Sequence, residues 1–277
     1  MRKILQTILN ILTFRLPYHS LRGLMLVLCG RRREEIWSKL PFKDLKSPLL
    51  LPDGNLLYCP WRDGWFLTWA IVEEIYYFRA YDRLFEQRKN FAVVDAGAHI
   101  GIYTLRAAKK VGKKGLVIAI EPEERNYESL VKNVRINRYK NVIPVKLALS
   151  DFEGKARFYV KSVTLSHSLL EKVEFHENEK VQNVGVAEVR VTILTKLMNK
   201  LGLTTVDLLK VDVEGVELEV LRGSEQLLAE RLISRIVIAA YHTTDKARVL
   251  KEYLEKFGYK VSIIEVTGRK YVHAYAD

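Results

Sequence analysis

From Phe91 onward the apolar positions fall into short runs separated by amphipathic stretches. Phe91–Val94, Leu116–Ile120 and Ile236–Ala240 are apolar throughout, and Val142–Leu149 and Val206–Val211 nearly so. Strands that do not alternate apolar with polar belong to a sheet covered on both faces. Between them, Ile100–Lys110 and Arg125–Asn137 carry helical spacing, the first ended by Gly112 and Gly115, the second apolar at Leu130, Val134 and Ile136. Strands alternating with helices predict right-handed crossovers and an α/β fold with a doubly wound, mostly parallel sheet. Tyr259–Val266 and Tyr271–Tyr275, joined through Gly268-Arg269, read as an antiparallel pair that closes it. Residues 151–192 break the alternation. Ala156–Lys161 and Ala187–Ile193 read as strands enclosing a polar loop, Ser162–Gly185, long enough to suggest a functional segment.

Residues 1–90 read as an accessory region of helical arm, hairpin and helix, and residues 91–277 as the main domain. The Leu49–Tyr58 run predicts a hairpin turning at Asp53-Gly54, and a second turn follows over Trp61–Trp65. Residues 69–86 place Ile71, Ile75, Phe78 and Phe85 at helical intervals. Near the N-terminus Arg15, Pro17, His19 and Arg22 interrupt the apolar runs, so none approaches the roughly 20 residues of a spanning helix. Leu26–Gly30 before Arg31-Arg32-Arg33 makes a poor leader-cleavage site. A packing arm is the plain reading. An interfacial anchor, with Arg31–Arg33 against acidic lipid, is the sharper one. The location expected is cytoplasmic, at most peripheral to a membrane.

Composition adds little until charge is considered. The chain has 277 residues, 48% hydrophobic, with a formal charge of +12. Its first 90 residues hold 15 Lys and Arg against 9 Asp and Glu, half of that excess in a third of the length. Such a surface favours anionic partners, which range from phosphorylated metabolites to nucleic acid and lipid headgroups. The two cysteines, Cys29 and Cys59, form no close pair of the kind a zinc site needs and read as buried thiols.

Four segments carry chemistry. Val93–Gly101 places Asp95, Gly97, Ala98, His99 and Gly101 where a strand gives way to a helix. There glycine permits close backbone approach and helix N–H groups face a ligand. Its Gly-x-x-x-Gly spacing lacks the middle glycine of a dinucleotide fingerprint, and Asp95 suits a cofactor with a positive amino group better than one with phosphates. His99 reads as a helix cap. Glu121-Pro122 ends the second strand, where a carboxylate can accept from both ribose hydroxyls of a nucleoside. Ala148, Leu149 and Asp151 follow the third strand, where backbone N–H groups would read an adenine and Leu149 would pack on it; an exposed turn is the equal reading for Asp151. In Val206–Glu217, Lys210 and Asp212 share one strand face, and Glu214 joins them if the strand continues. Three charges thus converge at the carboxyl edge, where ligands bind in such sheets. Glu217 reads as the start of the next helix.

Together, Val93–Gly101, Glu121-Pro122, Ala148–Asp151 and Val206–Gly223 resemble the FkbM family of class I methyltransferases over about residues 90–242. Ser166–Leu169 is similar to the family's Ser-containing segment, and His242 matches a position where the family often has His. The resemblance implies a Rossmann-like sheet, S-adenosylmethionine as cofactor, and methyl transfer to an oxygen of a sugar, polyketide or other metabolite, including lipid-linked glycans. It implies that Asp95, Gly97 and Gly101 flank the methionine part, that Glu121 holds the ribose, and that Ala148-Leu149 lies near adenine. The chain departs from the family at Thr195, where Asp is usual.

For the acceptor's proton, Asp212 and His242 are the candidate bases, with Glu214 next and Lys210 as the stabiliser of a developing alkoxide. Mg²⁺ held by Asp212 and Glu214 is the alternative, though two carboxylates are a thin metal site. The charge also raises an RNA (tRNA) methyltransferase as a rival, against which stands the absence of an Asn-Pro-Pro-Tyr-type signature. A nicotinamide oxidoreductase disagrees with the glycine spacing, and a non-catalytic membrane-binding protein disagrees with intact Asp95, Glu121 and Asp212.

Overall fold

The computed structural model describes residues 49–59, 65–82, 91–161, 168–170, 183–241 and 246–276. The chain divides into two compact units, Met1–Trp61 and Arg62–Asp277. In the first, β1 (Leu49–Leu50) pairs antiparallel with β2 (Leu56–Leu57), as the Asp53-Gly54 signal predicts. The Asp53 carboxylate accepts from Asn55 N at 3.0 Å and Asn55 Nδ2 at 2.9 Å, while Gly54 takes φ +86°. Cys59 is buried; Cys29, Arg31–Arg33 and the N-terminal arm lie outside the described residues.

The second unit begins with α1 (Trp65–Val72), which widens into a π-helical turn over Glu73–Tyr77. The periodicity holds for buried Ile75 but fails at Phe78, which is 40% exposed. A π turn holds one residue more than an α turn, so positions beyond it rotate off the buried face. That rotation brings Glu74, Ile75 and Tyr76 inward.

The large sheet contains β3 (Ala92–Ala96), β4 (Leu116–Ile120), β5 (Val142–Val145), β9 (Leu208–Val211), β10 (Arg235–Ala239), β11 (Lys260–Val266) and β12 (Arg269–Tyr275). Their spatial order is β11-β12-β10-β9-β3-β4-β5, parallel except at β11 and β12. This is the Rossmann-like, doubly wound sheet expected, with its antiparallel C-terminal pair. Helices α2 (Ile102–Val111) and α3 (Glu124–Ile136) connect β3 to β4 and β4 to β5. Buried amides secure them: Asn133 Nδ2 donates to Ile100 O at 2.8 Å, and Asn141 Nδ2 donates to Ala108 O and Gly112 O at 3.1 and 2.9 Å. They satisfy carbonyls at the two ends of α2, where intrahelical donors run out; Gly112 O also accepts from Gly115 N at 3.1 Å.

Two strand boundaries differ from the sequence expectation. The single run Val142–Leu149 divides into β5, on the edge of the large sheet, and β6 (Ala148–Leu149), which pairs with β8 (Asn183–Thr192) in a separate three-stranded sheet completed by β7 (Gly154–Lys161). Apolar character marks burial, not which sheet a segment joins. Pro144 fits β5 because an edge strand leaves one side of its backbone unpaired. The polar loop is also shorter than expected, since β8 already starts at Asn183. Residues 185–188 are exposed, so that part of the strand carries no buried apolar signature. Helices α4 (Leu194–Lys200), α5 (Glu217–Arg222), α6 (Glu225–Ala229) and α7 (Lys246–Glu255) complete the unit.

Candidate active site

The direction of strand addition reverses between β3 and β9, so a crevice opens at their carboxyl ends. Asp95 and Lys210 are register neighbours across that pair. Lys210 Nζ lies 3.1 Å from Asp95 Oδ1 and 3.7 Å from Asp212 Oδ2, and it donates to Gly97 O at 2.8 Å and Ala96 O at 3.5 Å. Thr104 Oγ1 donates to the other Asp95 oxygen at 2.6 Å. Lys210 and Asp95 are both buried, at 3% and 0% exposure. Burial pulls the lysine's pKa down, but Asp95 and Asp212 more than offset it, and the net shift is upward. Burial raises the Asp95 carboxyl, opposed by Lys210 and Thr104. The pair is therefore held ionised by mutual contact rather than by water.

Gly97 has a protein reason for being glycine. A β-carbon there would overlap the Asp212 carbonyl oxygen, and φ is +77°. The loop after β3 and the loop after β9 thus touch backbone to backbone. Gly101, at φ +94°, caps α2 without a side-chain bond, so His99 is not the helix cap expected from the sequence. His99 sits at φ +52° and donates its main-chain N–H to Glu121 Oε2 at 2.8 Å. Glu123 N donates to the other oxygen at 3.0 Å, and Gly97 N and Ala98 N both donate to Ile120 O. Glu121 is 5% exposed, and burial pushes its carboxyl up to about 7, partly offset by the Glu123 and His99 amides. Pro122 is half-buried beside it.

After β9 the strand stops at Val211, so Glu214 does not continue the Lys210 and Asp212 face; it occupies a tight turn at φ +55°. Left-handed backbone in a residue with a β-carbon persists only where its surroundings impose it. Three side chains do so. Ser168 Oγ, fully buried, donates to Glu214 O at 2.6 Å. Glu217 opens α5, as expected, and accepts from Gly215 N at 2.9 Å. Lys246 contacts both Glu217 Oε2 and Gly215 O. Asp212 is half-buried, and Tyr81 OH lies 3.0 Å from its Oδ2.

Asp95, Gly97, Lys210 and Asp212 therefore form one bonded group, and Ala98, His99 and Glu121 adjoin it through β4. Ala148 and Leu149 are buried in β6, Leu149 within the main core. Asp151 is exposed, 3.3 Å from Ser150 Oγ. Thr195 Oγ1 reaches Gly223 O at 3.4 Å. His242 and Ser166-His167 lie outside the described residues. Among the described residues no group of three or more His, Cys, Asp or Glu side chains is placed to hold a metal, which leaves the Mg²⁺ alternative without a donor set. Nor, among them, is any helix long and apolar enough to cross a membrane.

Sequence reasoning marked Ser168 only through the family's Ser-containing segment, without its bond to the Glu214 turn, and missed Thr104, Lys246, Glu74 and Tyr81. Lys246 alone left a signal, a lysine at a helix N-terminus, where the dipole disfavours it. The absence of any such local oddity hid the others.

"Methyltransferase sdnD" of Sordaria araneosa is 26% identical over 69% of this chain and 82% of its own length. "Methyltransferase 1" of Beauveria bassiana is 27% identical over 70% and 81%. A tRNA(Phe) (4-demethylwyosine(37)-C(7)) aminocarboxypropyltransferase of Methanocaldococcus jannaschii is 33% identical over 41% and 45%. A solved SAM dependent methyltransferase from Aquifex aeolicus shares 18% identity at a TM-score of 0.42, over 73% of this chain and 90% of that one. The sequence model described as the methyltransferase FkbM domain matches residues 95–261. By that match, which spans more than half its length, the chain belongs to the FkbM methyltransferase family.

Proposed function

We propose that the chain is an S-adenosylmethionine-dependent O-methyltransferase acting on a hydroxyl of a sugar, lipid-linked glycan or other small metabolite. The observation that carries this is the pairing of buried Glu121 at the end of β4 with half-buried Asp212 at the end of β9, either side of the β3 switch point. Glu121 fits a nucleoside diol. Its carboxylate is kept from water, so hydroxyl donors that reach it would stabilise the charged form that burial opposes. S-adenosylmethionine would supply an electrophilic methyl group on a sulfonium. Asp212 would take the acceptor hydroxyl's proton as the oxygen attacks. Lys210 directs its N–H groups at Asp95, Ala96 O and Gly97 O, and its charge lies 3.7 Å from Asp212 Oδ2, which favours the ionised form of that base. The turn held by Ser168, Glu217 and Lys246 keeps the Asp212 backbone in place, which alignment of attacking oxygen and methyl carbon requires.

The rival RNA reading draws on the +12 charge and on the activity named for one relative. The crevice itself speaks for a neutral acceptor, because the Glu121 and Asp212 carboxylates stand at this edge, where a phosphate backbone would be repelled. Titration calorimetry with S-adenosylhomocysteine tests the cofactor, with Glu121→Ala and Asp95→Ala beside it. Binding to the native chain that both variants lose is expected. No binding by demonstrably folded protein ends the reading. Transfer of labelled methyl groups into glycan, lipid and tRNA pools then separates the acceptor classes, and label in tRNA alone would favour the rival.

A further inference from the structure

Behind Asp212 lies a second cluster, of which Glu74, Tyr81, Arg269 and Tyr271 lie outside the 95–261 match. Glu74, from the π turn, accepts from Tyr271 OH at 2.7 Å on Oε1 and from Arg269 Nη1 at 2.8 Å on Oε2. Tyr241 OH stands 3.5 Å from the same Oε1. Tyr81 is buried at 2% exposure, with its ring edge-on to Tyr103 and Tyr271 at 5.6 and 5.5 Å. Its hydroxyl lies 2.8 Å from Glu74 Oε1 and 3.0 Å from Asp212 Oδ2.

A phenol has one proton and donates one hydrogen bond. Both short contacts of Tyr81 are to carboxylate oxygens, which when ionised only accept. Both are satisfied only if one of the carboxyls carries a proton. Two arrangements then exist. Either Asp212 donates to Tyr81, which donates to Glu74, or Glu74 donates to Tyr81, which donates to Asp212. They differ by a concerted shift of two protons along one line.

We propose that Glu74, Tyr81 and Asp212 share this proton, with Glu74 as the terminal acceptor that returns Asp212 to its basic form after each methyl transfer. This rests on the reading of Asp212 as the base. In the transfer, the methyl–sulfur bond breaks as the oxygen–methyl bond forms, and the hydroxyl proton passes to Asp212. With the shared proton on Glu74, that carboxyl first releases it to water at the Arg269 edge, where the arginine side chain is 44% exposed. Asp212 then gives a proton to the Tyr81 oxygen while the Tyr81 proton moves to Glu74 Oε1, which restores the starting arrangement. Among the described residues, the charges facing the line are Lys210 and Asp95 from β9 and β3, Arg269 from β12, Asp82 with Arg106 and Lys110 beside Tyr103, and Glu214 near Tyr241. Tyr103, Tyr241 and Tyr271 are held neutral by burial. Glu74 and Tyr81 are positioning residues, since they act through Asp212.

The test places 3-fluorotyrosine at position 81 of the full chain and follows its ¹⁹F resonance with pH. The resonance is expected to move as the shared proton is lost, and that movement is expected to vanish in both Glu74→Gln and Asp212→Asn. Movement that persists in either variant overturns the proposal, because the hydroxyl then serves one carboxyl only. If Glu74→Gln does not fold, Arg269→Met decides. It removes the cation facing Glu74 from a half-exposed position, and the transition is expected at higher pH; an unmoved transition refutes the shared proton. S-adenosylhomocysteine binding by the same samples keeps the two readings apart. Binding without the ¹⁹F behaviour sinks the relay alone, and the ¹⁹F behaviour without binding sinks the methyltransferase role of Asp212.

Discussion

Replacing Lys210 by methionine removes a charge while nearly preserving shape. It leaves the Asp95 carboxylate at 0% exposure with the Thr104 hydroxyl still donating to it. Breaking one side of a buried pair costs about 3–5 kcal/mol, because the orphaned charge cannot be hydrated. At about 2–4 °C per kcal/mol for a unit of roughly 150–250 residues, the melting temperature should fall by about 6–20 °C. The loss should depend on pH with a definite sign. Without Lys210 the Asp95 carboxyl, already raised by burial, rises further above its unfolded value. The folded state then binds more protons than the unfolded state between those two values, so stability drops as pH increases through that window. Lys210→Met should therefore be closest to the native protein in mild acid and furthest from it above neutrality. The double variant Asp95→Asn, Lys210→Met should recover most of the loss, to within about 2 kcal/mol, since no uncompensated charge remains. Urea titrations at several pH values supply the measurement. A single variant within about 1 kcal/mol of native at pH 8, or a double variant no more stable than the single, would refute the claim that this pair is held by mutual compensation.

Other outcomes follow from the same site. S-adenosylhomocysteine affinity should fall as pH drops below about 7, where Glu121 takes up a proton, and calorimetry on Glu121→Gln should show weak binding without that dependence. The raised Glu121 carboxyl also weakens the unliganded fold as pH climbs from its unfolded value toward 7, so Glu121→Gln should match or exceed native stability at pH 8; a large loss there would contradict the burial argument. Gly97→Ala should cost about 2–5 kcal/mol, from the left-handed backbone and the clash with the Asp212 carbonyl, and denaturant unfolding measures it. Ser168→Ala should cost about 1–3 kcal/mol by leaving the Glu214 carbonyl without its buried donor; a smaller loss in urea would mean that the turn holds itself.

The sheet was legible because burial on both faces writes itself as continuous apolar runs, and β3, β4, β9 and β10 lie within a residue or two of where those runs stand. Lys210 was legible in part: a charge inside such a run, on one face with Asp212, marked it as functional, but its pairing with Asp95 depends on the β3–β9 register, which neither run shows. The small sheet was not, since Ala148-Leu149 looks the same whichever sheet it joins. Glu74 was hidden twice. Its partners Tyr271 and Arg269 are almost two hundred positions away and leave no local trace. And a helical wheel assumes α geometry, whereas the π turn over Glu73–Tyr77 changes the angle at which each residue leaves the axis.

The contact between the Gly97 α-carbon and the Asp212 carbonyl joins two stretches of main chain that the sequence separates by over a hundred residues. Main chain pressed on main chain has no rotamer to turn aside, so a displacement on one side is passed on undiminished. A ligand that settled into the first loop would press on the second. Under the proposed function, the nucleoside half of the crevice and the half that receives the methyl group would thereby be geared together.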